Sequence, residues 1–298
     1  MKHWLAAFGV VLLAAAPVAA HPTIAVTIDD LPVHGPLPAG QTRLTVTRDI
    51  IAALKEAKMP AVHGFINGAA AAADPALAEV FTAWHAAGLP LSNHSWSHPN
   101  LDTTPVADYI AGIDRNAELL ATFGSKRDAT WFRFPFLAEG ADPATRRTVR
   151  TALAERGMRV AGVTMSFGDY MWNDAYGRCA ATGDTAAIAT LETSFLSAAA
   201  EAAQASRAMA KARYGRDIPY ILLLHVGAFD ARMMPRLLAQ YRRDGFDFTT
   251  LDNAASDPAY ASDLDPKLPP EAPTPASGAR DYAPMLAALC RDDIRRPT

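Results

Sequence analysis

Two acids stand side by side in TIDDLP (residues 27–32), directly after the apolar run Thr23-Ile24-Ala25-Val26. Side chains alternate across a strand, so Asp29 and Asp30 cannot both face one core, and burying either charge unpaired is costly. Further on, NHSWSH (residues 93–98) spaces His94 and His98 as i, i+4. On one helical turn both imidazoles face the same way, and imidazole suits a divalent first-row metal. Such a pair is common on protein surfaces and says little by itself. A third ligand of hard-oxygen type changes that, and one acid of the 29–30 pair can supply it. Two histidines and a carboxylate with an open position form the ligand set of a hydrolytic zinc site. The other acid is then free to act as a base on water. A helix cap plus a solvated loop acid explains one aspartate comfortably and two poorly.

The surrounding elements decide whether these groups can meet. Strand patterns fall at 23–28, 61–67, 89–93, 130–134, 158–165, 219–226 and 246–251. Helical patterns fall at 42–60, 74–88, 104–124, 142–157, roughly 185–214, and 233–245. Two of these helices open on Asp-Pro and close on Gly, the expected start and stop chemistry. Strands alternating with helices imply a parallel sheet with crossover helices. The predicted fold class is α/β, a distorted (β/α)7-type barrel in one domain, with a helical insert before the sixth strand. In such folds chemistry gathers at the carboxyl ends of the strands. Asp29 and Asp30, Asn93 and His94, Arg133, Asp169 and His225 all fall at or just beyond strand ends. Five of seven strands delivering an ionisable group to one rim argues for a site. His63, inside the second strand, reads as a packing histidine.

The 298 residues are half hydrophobic, ample for one large core. Residues 1–20 have a basic start, an apolar stretch and small residues at Val18 and Ala20, the pattern of a cleavable secretory signal cut after Ala20. The expected division is a signal at 1–20, a catalytic domain at 21–257 and a Pro-rich extension at 258–298, with a closing helix at 282–293. Loss of Lys2 takes 28 basic residues to 27 against 31 acidic ones, a net charge of −4. That excludes the basic footprint of a nucleic-acid binder, and no membrane span follows residue 20. In an exported chain the two cysteines, Cys179 and Cys290, are expected to be bridged, bracing a loop after Trp172. The expected location is secreted or periplasmic.

TIDD, NHSWSH, RFPF, ILLLHVG and FDFTTLD together resemble the polysaccharide deacetylase family (carbohydrate esterase family four, the NodB-like homology domain), in order and spacing, over about residues 22–253. The resemblance implies a divalent metal, most simply Zn2+, bound by Asp30, His94 and His98, with Asp29 as general base. It implies that Arg133 pairs with Asp29, that the backbone amide of Phe136 helps hold an oxyanion, and that His225 is the general acid. Leu223 would line the acetyl pocket. Asp169, preferred to Asp174, would tune His225, and Trp172 would wall the groove. The implied substrate is an acylated glycan: an N-acetyl amino sugar of peptidoglycan or chitooligosaccharide, or an O-acetylated polysaccharide. Two alternatives are an amidase for a small cyclic amide and a non-catalytic glycan-binding barrel. The chain departs from the family at Leu31-Pro32 and the following VHGPLPAG, where a Gly is usual after the acid pair.

Overall fold

The computed structural model describes residues 21–123, 130–265 and 280–291. The signal segment and nearly all of the Pro-rich stretch 265–278 lie outside them. Among the described residues seven strands form one parallel sheet: β1 (Thr23–Leu31), β2 (His63–Ile66), β3 (Leu91–Asn93), β4 (Trp131–Phe132), β5 (Arg159–Val160), β6 (Tyr220–His225) and β7 (Asp247–Phe248). Their order is β5-β4-β3-β2-β1-β6, with β7 paired to the start of β1. Beyond β5 the chain returns to the sheet at Met165, which bridges Leu222 of β6. The expected distorted (β/α)7 barrel is therefore the fold, a curled sheet closed by that one bridge.

The helices cover the outside: α1 (Arg43–Glu56), α2 (Gly68–Ala73), α3 (Ala78–Ala86), α4 (Val106–Ala121), α5 (Pro143–Glu155), α6 (Met171–Thr182), α7 (Thr185–Tyr214), α8 (Ala228–Arg243), α9 (Leu251–Ala255), α10 (Ala261–Leu264) and α11 (Ala283–Ala288). Their starts follow local chemistry. Thr42 makes a reciprocal capping box with Thr45, while Asp142 and Asp184 cap α5 and α7. The long helix ends on Gly215 in the left-handed conformation that glycine adopts most readily.

Three expectations need correction. The strand expected at 158–165 is only Arg159–Val160, because the carbonyl of Ala161 accepts a hydrogen bond from the Arg133 side chain, not from a neighbouring strand. The helix expected from 233 begins at Ala228, and Pro235 lies within it. It starts directly after Gly227, where a Cβ would meet the Asn173 amide at 2.1–2.3 Å, so only glycine fits. The segment after Trp172 is the helix α6, not a loop. Trp172, Ala175, Tyr176 and Cys179 form its buried stripe at i, i+3, i+4, i+7, a helical signal present in the sequence.

Cys179 and Cys290 are joined by a disulfide, so the bridge ties helix α6 to the chain just beyond α11. Arg178 reinforces it by donating to the carbonyls of Leu286 at 2.7 Å and Leu289 at 3.2 Å. Tyr260, Tyr282 and Leu286 are buried in the main core, so parts of the chain beyond 257 pack on the barrel.

Candidate active site

The carboxyl end of β1 is the centre of the site. Thr27 and Asp29 share one face of the strand, pointing into the barrel. Thr27 donates to the carbonyl of Leu222 at 2.7 Å. The fully buried Arg133 donates from one nitrogen to Thr27 Oγ1 at 2.6 Å and to Asp29 Oδ1 at 2.9 Å, and from Nε to Ala161 O at 3.1 Å. The guanidinium thus fixes Asp29 from three parts of the chain. Asp30 should point the opposite way, but the pairing of β1 with β2 shifts register between Ile28 and Leu31, and Asp30 has φ +66°. That left-handed residue at an irregularity turns the second carboxyl back toward the first. His94 Nε2 lies 3.7 Å from Asp29 Oδ2 and 3.4 Å from Asp30 Oδ1. His98 Nε2 lies 3.3 Å from the same Asp30 oxygen.

The two histidines do not sit on a helical turn, as their spacing suggested. They lie in an irregular loop after β3, with Ser95 at φ +63° and His98 at φ +54°. A buried asparagine network shapes that loop. Asn93 Oδ1 accepts from Ser95 N at 2.8 Å and from Asn116 Nδ2 at 3.0 Å. Asn67 donates to the carbonyls of His94 at 2.6 Å and Ser95 at 3.1 Å. His94 donates from Nδ1 to the Arg133 carbonyl at 2.8 Å, which leaves Nε2 as the bare ligand atom.

The residues present fit a divalent ion. One ligand atom each from Asp30, His94 and His98 lie within 4.8 Å of one another, and Asp30 Oδ1 is buried with no hydrogen-bond partner among the described residues. Burial works against ionisation of Asp30, but the hydrogen bond from His34 and the neighbouring His94 imidazole outweigh it and hold the carboxyl well below the usual range. Burial also pushes His98 down, favouring the neutral imidazole that binds metal.

Sequence reasoning missed His34. It lies in the loop after Leu31-Pro32, and its Nδ1 bonds the other oxygen of Asp30, Oδ2, at 2.9 Å. Arg43 pins the loop through the carbonyls of His34 at 2.8 Å and Gly35 at 2.7 Å. The only sequence signal was an extra histidine where the family pattern breaks. Orienting partners of metal ligands typically contribute about 10–100-fold in metal affinity. His34→Ala is therefore expected to weaken metal binding by about that factor in a chelator competition. An unaltered affinity would show that His34 does not hold the ligand.

Beside this cluster, Asp29 and His225 are register partners on adjacent strands. Asp169 Oδ1 accepts from His225 Nδ1 at 3.0 Å and its Oδ2 accepts from His225 N at 2.7 Å. Burial opposes protonation of His225, but the Asp169 carboxylate overrides it and pushes the imidazole up to about 10. Asp174 is exposed on α6, leaving Asp169 as the partner. Leu223 shares the face of His225. The Phe136 ring is exposed and packs edge-on against His98 at 4.4 Å. His63 is a core residue bonded to Ser92 at 2.8 Å, outside the site.

Trp172 does not wall a groove. It is 0% exposed, donates to Ser194 Oγ at 2.9 Å, and packs against Phe167, Phe195 and Tyr282. Its near neighbour Tyr170 takes the rim position, 48% exposed with its ring 5.3 Å from that of His225. The difference arises because α6 begins between them and turns Trp172 toward α7.

Residues 18–161 match the family model described as polysaccharide deacetylase. This match assigns residues 18–161 to the polysaccharide deacetylase family. This places the chain among hydrolases acting on carbon–nitrogen bonds other than peptide bonds. Enzymes of this family are metal-dependent, in keeping with the Asp30, His94 and His98 cluster. Solved polysaccharide deacetylases share the fold. A chitin deacetylase from the fungal pathogen Colletotrichum lindemuthianum is 18% identical, with a TM-score of 0.53 over 84% of this chain and 94% of that one. A peptidoglycan N-acetylglucosamine deacetylase is 19% identical, with a TM-score of 0.51 over 79% and 90%. A mutant of a CE4 family pseudoenzyme with restored activity is 14% identical, with a TM-score of 0.53 over 78% and 67%. Comparison with curated proteins gives no match.

Proposed function

We propose that this polysaccharide deacetylase is an exported, zinc-dependent enzyme that removes acetyl groups from an acylated glycan. One observation carries the reading: a base held by Arg133 and an acid held by Asp169 stand on adjacent strands beside the Asp30, His94 and His98 cluster. A binding-only barrel needs neither. Asp30, His94 and His98 would hold the zinc, which would supply Lewis acidity to the acetyl carbonyl and to water.

Asp29, kept in place by Arg133, removes a proton from the attacking water. The Phe136 amide donates to the developing oxyanion. His225, protonated through its pairing with Asp169, delivers a proton to the departing amine, a step a poor leaving group requires. Leu223 receives the acetyl methyl, and Tyr170 and Phe136 offer exposed rings for sugar faces on either side. Export is supported by the apolar N-terminal segment and by the disulfide, which belongs to oxidising compartments.

The test is acetate release from peptidoglycan, chitooligosaccharides and acetylxylan by the zinc-loaded protein, before and after chelation. Release from one of these substrates that stops on chelation and returns with zinc is the expected result. No release from any of them overturns the reading.

A further inference from the structure

Behind the acid histidine lies a second carboxyl that the mechanism above does not use. Asp230, on the first turn of α8, is 1% exposed and in hydrogen-bond contact with Asp169. Its Oδ2 accepts from Asn173 Nδ2 at 2.8 Å, and the amide's orientation is fixed because Asn173 Oδ1 accepts from Phe229 N at 2.8 Å. Its Oδ1 is buried with no donor among the described residues. Two touching buried carboxyls cannot both ionise. Asp169 receives both the imidazole N–H and the backbone N–H of His225, so it keeps the charge. Asp230 receives one neutral amide N–H, and the cation beside it, His225, is already engaged by Asp169.

We propose that Asp230 is a positioning residue that stays protonated at neutral pH and donates its proton to Asp169, completing a chain from Asp230 through Asp169 to His225. The donor satisfies an oxygen that nothing else reaches. It draws charge off Asp169, which moderates the basicity that Asp169 imposes on His225 and lets the acid release its proton. It also fixes which Asp169 oxygens face the imidazole. Burial and the Asp169 charge both push the Asp230 carboxyl well above the usual carboxylate range, in agreement with the geometry.

Three samples test this: the zinc-loaded wild type, D230N and D230A. Asparagine copies a protonated aspartate, with a donor for Asp169 and an acceptor for Asn173, whereas alanine supplies neither. Infrared difference spectra at neutral pH are expected to show a neutral buried carboxylic acid in the wild type that D230N lacks. In acetate release, D230N is expected to stay within a few-fold of the wild type. D230A is expected to lose about 10–100-fold in kcat, the range of a lost orienting partner, with KM and zinc content little altered. A wild type without the acid band overturns the proposal. So does a D230N as impaired as D230A, or a D230A as active as the wild type. If D230A does not fold, the band and D230N still decide. The kinetic arm rests on the deacetylase reading, but the infrared arm does not. An inactive wild type that shows the band therefore refutes the reading and leaves Asp230 standing.

Discussion

In Asp29→Asn, acetate release is expected to fall by about 10²–10⁴-fold, the usual contribution of a positioned base, while zinc stays bound at one equivalent. Asparagine keeps the shape of Asp29 and an acceptor for Arg133, and the metal cluster does not include it. What it removes is the lone pair that takes the proton. There is a second consequence. Arg133 is 1% exposed and forms an ion pair with Asp29 at 2.9 Å. Burial pulls the guanidinium down and Asp29 pulls it back up. Removing one partner of a buried pair typically costs about 3–5 kcal/mol, and the retained acceptor points to the low end. Urea unfolding should show this loss, so activity is to be compared where both proteins are folded. A variant with wild-type turnover would remove Asp29 from the mechanism.

Replacing both cysteines with serine is expected to destabilise the protein by up to about 4–5 kcal/mol, the chain-entropy value for a loop of this length. The bridge spans 111 positions. Arg178 still binds the carbonyls of Leu286 and Leu289 in the variant, which brings the loss below that ceiling. Denaturant midpoints of the oxidised protein and the double variant measure it. Coincident midpoints would mean that the bridge itself adds nothing to the stability of the barrel. The bridge also bears on the site, because α6 carries Asn173 and packs its Gly177 face on Pro36 of the His34 loop.

Much of the site was legible from residue types alone. Asp29, Asp30, His94, His98, Arg133, Asp169 and His225 sit at strand ends in the sequence, and the barrel brings them together. Parallel strands with crossover helices can deliver their carboxyl ends to only one rim, so alternation of pattern sufficed. Orientation was not legible. Adjacent acids on a strand should diverge, and only the register shift at the end of β1 lets Asp30 turn back with φ +66°. An i, i+4 histidine pair suggests a helix, but the loop after β3 is held by Asn67, Asn93 and Asn116, residues far apart in the chain.

Whether an aromatic beside the site meets substrate or core was likewise undecidable locally. Tyr170 and Trp172 are two residues apart, and the packing of α6 against α7 buries the second and leaves the first at the rim. His34 and Asp230 carry no motif, and each gains its meaning from a carboxylate brought to it by folding. Residue types and their order determined which chemistry is available. Backbone irregularities and long-range packing decided where each group points, because those depend on contacts between segments that no local pattern encodes.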